Sequence, residues 1–170
     1  MSISLYMKHI ILNKPLLKPT QRKEIKNMDF DHLECLTRII NKDIVDADMK
    51  NIMNEIRKKH YAYKSQDKIK HKFDDLQHIT LDELIHKIMD SKLKCYYCEC
   101  DLLLVYNKLK DGKQWSLERL NNDKGHYNEN TCIACLKCNL SRRTDNYIEF
   151  KKGKMLRIVK CYELEVKDNS

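Results

Sequence analysis

Cys95, Cys98, Cys135 and Cys138 stand as two Cys-x2-Cys pairs with 36 residues between them. Each such pair turns the backbone so that two thiolates face one way, and two pairs complete a tetrahedral four-cysteine zinc site. Six of the eight cysteines fall within residues 95–138, in tight groups. No secretory signal is visible ahead of them, because Lys8 and His9 interrupt the apolar residues between Met1 and Leu12 and no small-residue cleavage site follows. A reducing, intracellular setting is therefore expected, in which thiols hold metal rather than pair as disulfides. Other ligand sets remain open at this point. Cys100 competes with Cys95 or Cys98, and Cys132-x2-Cys135 is also a legal pair. Cys95-Tyr96-Tyr97-Cys98 is the favoured first knuckle, since it leaves two residues to turn the chain where Cys98-x-Cys100 leaves one. Four thiolates close the coordination shell, so this zinc is expected to be structural, stapling a loop-rich segment of a chain with only 3 glycines.

Between the knuckles runs Ser116-Leu117-Glu118-Arg119-Leu120-Asn121-Asn122-Asp123-Lys124-Gly125-His126-Tyr127-Asn128-Glu129-Asn130, and the second knuckle continues as Cys138-Asn139-Leu140-Ser141-Arg142-Arg143. Segment 95–143 resembles the zinc-containing HNH endonucleases of the ββα-metal class. The shared order is a first knuckle, a strand ending in a carboxylate, a glycine-containing loop, a central asparagine, and Cys-x2-Cys-Asn opening a helix with basic residues after it. The whole chain resembles small HNH proteins of phages and large DNA viruses. The resemblance implies that Glu118 and Asn139 hold a catalytic Mg²⁺ or Mn²⁺, hard-oxygen ligands suiting a hard cation. It also implies that Asn130 braces the loop carrying the base, and that Lys137, Arg142 and Arg143 contact backbone phosphates. One position departs from the pattern. The family's general base, a histidine directly after the carboxylate, is here Arg119, which cannot accept a proton. Three explanations compete. His126 on the loop takes over as base; a metal-bound hydroxide or substrate phosphate serves while Arg119 stabilises transition-state charge; or cleavage is lost and the domain only binds.

The elements that must position these residues fall into three stretches: 1–94, 95–150 and 151–170. Residues 1–20 read as a loosely ordered lead, with Pro15 and Pro19 discouraging a helix. Residues 29–91 read as helical. Leu33, Leu36, Ile39 and Ile40 recur at helical spacing, as do Ile44, Val45, Met49, Ile52, Met53 and Ile56. Thr80 to Ser91 is the clearest helix, opened by the Thr-x-x-Glu capping box of Thr80 and Glu83. Tyr61 and Tyr63 precede the basic run Lys68 to Lys72; buried tyrosines are favoured there over base-stacking ones. From residue 95 the helical period stops. Trp115 to Leu120 alternates like a strand, Asn121 to Gly125 is a turn, residues 136–146 can form a helix, and Met155 to Val159 reads as a strand of a C-terminal ribbon. The expected fold class is α+β: an N-terminal helical region, DNA-gripping in role, then a zinc-stapled ββα-metal domain and a basic tail.

Charge and composition bound the function. The chain of 170 residues carries a net +8, with mean hydropathy −0.69 and no apolar run long enough to span a membrane. The basic excess is uneven: residues 1–94 hold 19 basic and 14 acidic side chains, 95–150 hold 8 and 8, and 151–170 hold 6 and 3. Such a balance favours a polyanionic partner, and the resemblance makes it double-stranded DNA. One HNH site cuts one strand, so a double-strand break needs two copies, which a homodimer would supply. The rival functions are a non-catalytic nucleic-acid-binding zinc module and a RING-like interaction domain, the latter requiring two zinc sites.

Overall fold

The structure, a computed structural model, describes residues 31–43 and 46–156. Three helices come first: α1 (His32–Ile40), α2 (Ala47–Ile69) and α3 (Leu81–Asp90). Each starts where a side chain satisfies the free amides of the first turn. The Asp31 carboxylate accepts from the amides of Leu33 and Glu34, and that of Asp46 from Met49. At Thr80 the capping box forms in both directions with Glu83. One face of each helix is apolar and buried: Cys35 and Leu36 on α1, Met49, Ile52 and Ile56 on α2, Leu84, Ile85 and Ile88 on α3.

The second half is built on an antiparallel pair, β1 (Trp115–Arg119) and β2 (Thr131–Cys135), in a register that sets Leu117 opposite Ile133 and Glu118 opposite Cys132. Helix α4 (Leu136–Arg142) leaves β2 without a linker, and α5 (Tyr147–Met155) follows. A two-stranded sheet is marginal alone; here α4 packs on both strands, α3 packs on β2, and side chains of α2 reach the edge of β1. The Leu117 amide donates to the Tyr63 hydroxyl at 3.0 Å, and the Lys59 ammonium donates to the Trp115 carbonyl. That ammonium also lies 4.3 Å from the centroid of the Trp115 ring. Side chains of α2 thus satisfy the edge of β1 where a third strand would otherwise pair.

The α+β class is as expected, and α1, α2 and α3 fall within residues 29–91; residues 70–80 are not helical, and Ile44 and Val45 lie outside the described residues. The buried core, however, is continuous across residue 94: Leu36, Ile52, Ile56 and Leu84 belong to the same cluster as Leu104, Trp115, Leu117, Cys135 and Cys138. The boundary at 94/95 therefore separates two compositions and not two cores. Two further expectations are corrected. The helix expected over 136–146 stops at Arg142, because Arg143 turns the chain with φ +52°. Residues 147–155 are helical, so Met155 ends α5 instead of opening a strand. The remainder of that expected ribbon and basic tail, like the lead of residues 1–20, lies outside the described residues.

Candidate metal centre and basic cleft

The four sulfurs of Cys95, Cys98, Cys135 and Cys138 all lie within 4.8 Å of one another, with Cys98 Sγ 3.9 Å from Cys135 Sγ. A tetrahedron with zinc–sulfur bonds of about 2.3 Å has sulfur–sulfur edges of about 3.8 Å, so the donor set fits zinc in number, chemistry and spacing. Backbone amides support it: Cys135 N–H points to Cys95 Sγ and Cys138 N–H to Cys135 Sγ, each at 3.3 Å. Cys135 does double duty, because its sulfur is also the N-cap of α4. The competing set built on Cys132 fails for a simple reason. Cys132 and Cys135 are three apart on β2, and strand side chains alternate faces, so the two thiols cannot converge. Cys100 also stays outside the cluster. Among the described residues no second group of this kind is assembled, which leaves the RING-like reading without its second site.

Beside this centre lies a cleft of about 570 Å³ between the C-terminal end of α2, strand β1, the loop after it, and α4. Glu118, Arg119, His126, Asn139 and Arg143 all line it, together with Tyr63, Gln66, Lys70, Lys72, Ser116 and Asn122. Four cations face it against one carboxylate, and that carboxylate is already paired: Glu118 accepts from Arg142 Nε at 2.5 Å. Burial pushes the Glu118 carboxyl above its ordinary range, while the Arg142 guanidinium opposes that shift. The cleft is thus electropositive and suits a phosphate.

Local geometry aims several of these groups. Ser116 and Glu118 share a face of β1, two residues apart. The Ser116 hydroxyl donates to the Ala134 carbonyl at 2.9 Å and accepts from Asn139 Nδ2 at 3.2 Å. Its single proton is committed to Ala134, so it receives the NH₂ of Asn139 and leaves Asn139 Oδ1 without a hydrogen-bond partner among the described residues, as a hard-oxygen ligand. Asn130 closes the intervening loop: its Oδ1 accepts from the Asn121 amide, and its Nδ2 donates to the carbonyls of Asn121 and Gly125, each at 2.9 Å. Arg119 does not pair with Glu118. Its Nη1 reaches the loop carbonyls of Lys124 at 3.2 Å and Asn122 at 3.4 Å.

His126 is buried, with Nδ1 2.8 Å from Asp67 Oδ1, and its backbone amide donates to Asp67 Oδ2 at 2.6 Å. Asp67 belongs to α2 and has no exposed surface. Burial holds the His126 imidazole down to about pKa 4, against the pull of Asp67 and with help from Arg119, so the ring is neutral at pH 7. Gly125 makes the approach of α2 feasible: a Cβ there would sit 2.3 Å from the Lys72 carbonyl oxygen and 3.0 Å from Asp67 Oδ2.

Two of the three expected phosphate contacts are not in the cleft. Lys137 is exposed but does not line it. Arg142 is 2% exposed, and besides Glu118 it donates to the carbonyls of Asp145 and Arg119 and to Asn122 Oδ1. It ties β1, the loop and the end of α4 together, with four of its five N–H donors spent inside the protein. Arg143 is exposed and lines the cleft. Asp67, Ser116 and Gln66 carry no functional signal in the sequence, and Tyr63, Lys70 and Lys72 stand there only as parts of a tyrosine and lysine run. Asp67 gives no local signal: it lies 59 residues from His126, between Gln66 and Lys68 on a solvated-looking helix. The chain matches no family model, no curated protein and no solved structure.

Proposed function

We propose that this chain is a metal-dependent HNH-like endonuclease that hydrolyses phosphodiester bonds of double-stranded DNA, its ββα unit being β1, β2 and α4. The supporting observation is that one electropositive cleft gathers Glu118, Asn139 and His126 with Lys70, Lys72, Arg119 and Arg143. Lys70, Lys72 and Arg143 bind the phosphodiester backbone, and Arg119 lies where it can stabilise charge on the phosphate. Glu118, through the oxygen not held by Arg142, and Asn139 Oδ1 would hold Mg²⁺ or Mn²⁺. When bound, that ion supplies polarisation of the scissile phosphate and neutralisation of the leaving 3′ oxygen. His126 takes a proton from the attacking water as its oxygen bonds to phosphorus, the bond from phosphorus to the 3′ oxygen breaks, and the 3′ oxygen is protonated from solvent. The four-cysteine zinc holds β2 and the start of α4 in place and takes no part in the reaction.

A second reading, a DNA-binding module without cleavage, has its own support: Arg119 stands at the position of the family's base, and Arg142 already neutralises Glu118. Nicking of supercoiled plasmid in Mg²⁺ or Mn²⁺ decides between them. The endonuclease reading expects nicking by the wild-type chain that is abolished in Glu118→Ala and Asn139→Ala. An inert wild type that still binds DNA favours the module. Nicking that survives both substitutions at the wild-type rate overturns the assignment of the cleft.

A further inference from the structure

We infer that Asp67, on helix α2, is the positioning residue that fixes the His126 ring with its proton on Nδ1, so that Nε2 is the proton acceptor of the cleft. The inference rests on the endonuclease reading only for what Nε2 then does; the tautomer itself is a property of the folded chain. A neutral imidazole carries one N–H, and its partner decides on which nitrogen. Here the partner is a carboxylate, which only accepts, at 2.8 Å from Nδ1. The other oxygen of the same carboxylate takes the His126 backbone amide at 2.6 Å. Ring and backbone are thus held by one side chain, which removes the rotation that would carry Nε2 away from the cleft that His126 lines. Among the described residues Nε2 has no hydrogen-bond partner.

The surroundings fit a built device rather than an accidental contact. Asp67 is fully buried, so its cost of desolvation is offset by these two bonds, and His78 Nδ1 lies 3.5 Å from its Oδ2. The Tyr63 ring lies against the imidazole, tilted by 34° with 4.7 Å between centroids. Besides Asp67, Arg119 on β1 and His78 before α3 are the ionisable groups that act on His126, and both disfavour a positive charge on the ring until a proton is taken up in the reaction. Asp67 then faces the imidazolium directly. A base lost from the end of β1 is in this way replaced by one on the following loop, oriented by an element outside the ββα unit. Segment 95–150 on its own would lack the carboxylate.

The test starts with the unaltered protein. In the full chain labelled with ¹⁵N-histidine, at pH 7, His126 is identified among the 7 histidines by its loss in His126→Gln. Its two ring nitrogens should report the Nδ1–H tautomer. The Nε2–H tautomer, or an imidazolium, would overturn the inference. Asp67→Asn keeps the shape, but its NH₂ donates to Nδ1 and so moves the ring proton to Nε2. In plasmid nicking this variant should lose about 10²–10⁴-fold in kcat, the range for a positioned general base, with DNA affinity unchanged. Combining it with His126→Gln should add no further loss, because the two act as a unit. Full nicking by Asp67→Asn with the proton shifted to Nε2 would defeat the role in proton transfer. An inert wild type with the Nδ1–H tautomer overturns the endonuclease reading and supports the Asp67–His126 arrangement.

Discussion

Arg142 and Arg143 are neighbours in sequence with opposite surroundings. The first is buried and gives its guanidinium to Glu118 and to three further acceptors; the second is exposed at the lip of the cleft. Removing one partner of a buried ion pair leaves the other charge unpaired and costs about 3–5 kcal/mol. Arg142→Ala is therefore expected to lower the melting temperature sharply, while Arg143→Ala leaves it within error. Affinity behaves in the opposite sense for Arg143: its loss should weaken binding on every DNA sequence alike and reduce the slope of log affinity against log salt by about 1. Equal melting losses in the two variants would contradict this division. The buried histidines make a second prediction at the same scale. His126 and His78 both have pKa values depressed by burial, His126 to about 4. In the unfolded chain they titrate near 6.5, so below that pH the unfolded state binds more protons than the native one. Stability should be full above pH 6.5 and fall progressively towards pH 4. Thermal melts of His126→Gln across that window should show a shallower decline than the wild type.

Among the elements, α2 matters most to the candidate site, and its role is the least visible in the sequence. It supplies Tyr63 and Gln66 to the cleft wall and Asp67 to His126, and the turn that follows it supplies Lys70 and Lys72. Its docking depends on Gly125, where a methyl group would meet the Lys72 carbonyl and the Asp67 carboxylate. Gly125→Ala should push α2 off the loop, lowering stability by about 1–3 kcal/mol, the usual cost of overpacking. Its nicking rate should also fall by more than that of a surface alanine variant of equal stability; an unchanged rate would show that the approach of α2 does not matter to the reaction. Much of the local structure could be read beforehand. The capping box at Thr80 and Glu83, the apolar faces of α1 to α3 and the two cysteine knuckles all declare themselves over a few residues, because caps, helical periods and metal-ligand spacings are short-range rules. The break between α4 and α5 could not be, since it lies at Arg143, a residue with a side chain in a left-handed conformation where glycine would have been the signal. Nor could α5, which buries no residue and so carries no apolar period to read. Asp67 was illegible for a third reason: its partner is a tertiary one, and a carboxylate in a lysine-rich helix looks like one more solvated charge.

At the scale of the molecule, the continuous core changes what zinc is expected to hold. As a small stapled module, segment 95–143 would unfold alone on losing its metal, since the free energy of zinc binding is largely folding free energy for so short a unit. Yet Cys95, Cys135 and Cys138 are buried in the same cluster as the apolar faces of α1, α2 and α3. The strand that follows from zinc closure, β1, depends on α2 for its edge, and α2 depends on the loop after β1 for its C-terminal contacts. Loss of the metal should therefore destabilise the whole described fold as one unit. Two signals can be followed separately. Trp115, the only tryptophan, lies wholly buried on β1 and reports the metal-bound half by fluorescence. The helical signal near 222 nm is dominated by α1 to α3, which account for most of the helical residues described. With zinc bound, thermal unfolding followed by the two signals should coincide, as for a two-state domain. With a chelator, or in Cys138→Ser, both curves should move to lower temperature together. A fluorescence transition that moves while the helical transition stays in place would mean that residues 31–94 fold independently of the cysteine-rich half, and that α2 meets the cleft as a docked partner rather than as part of one core.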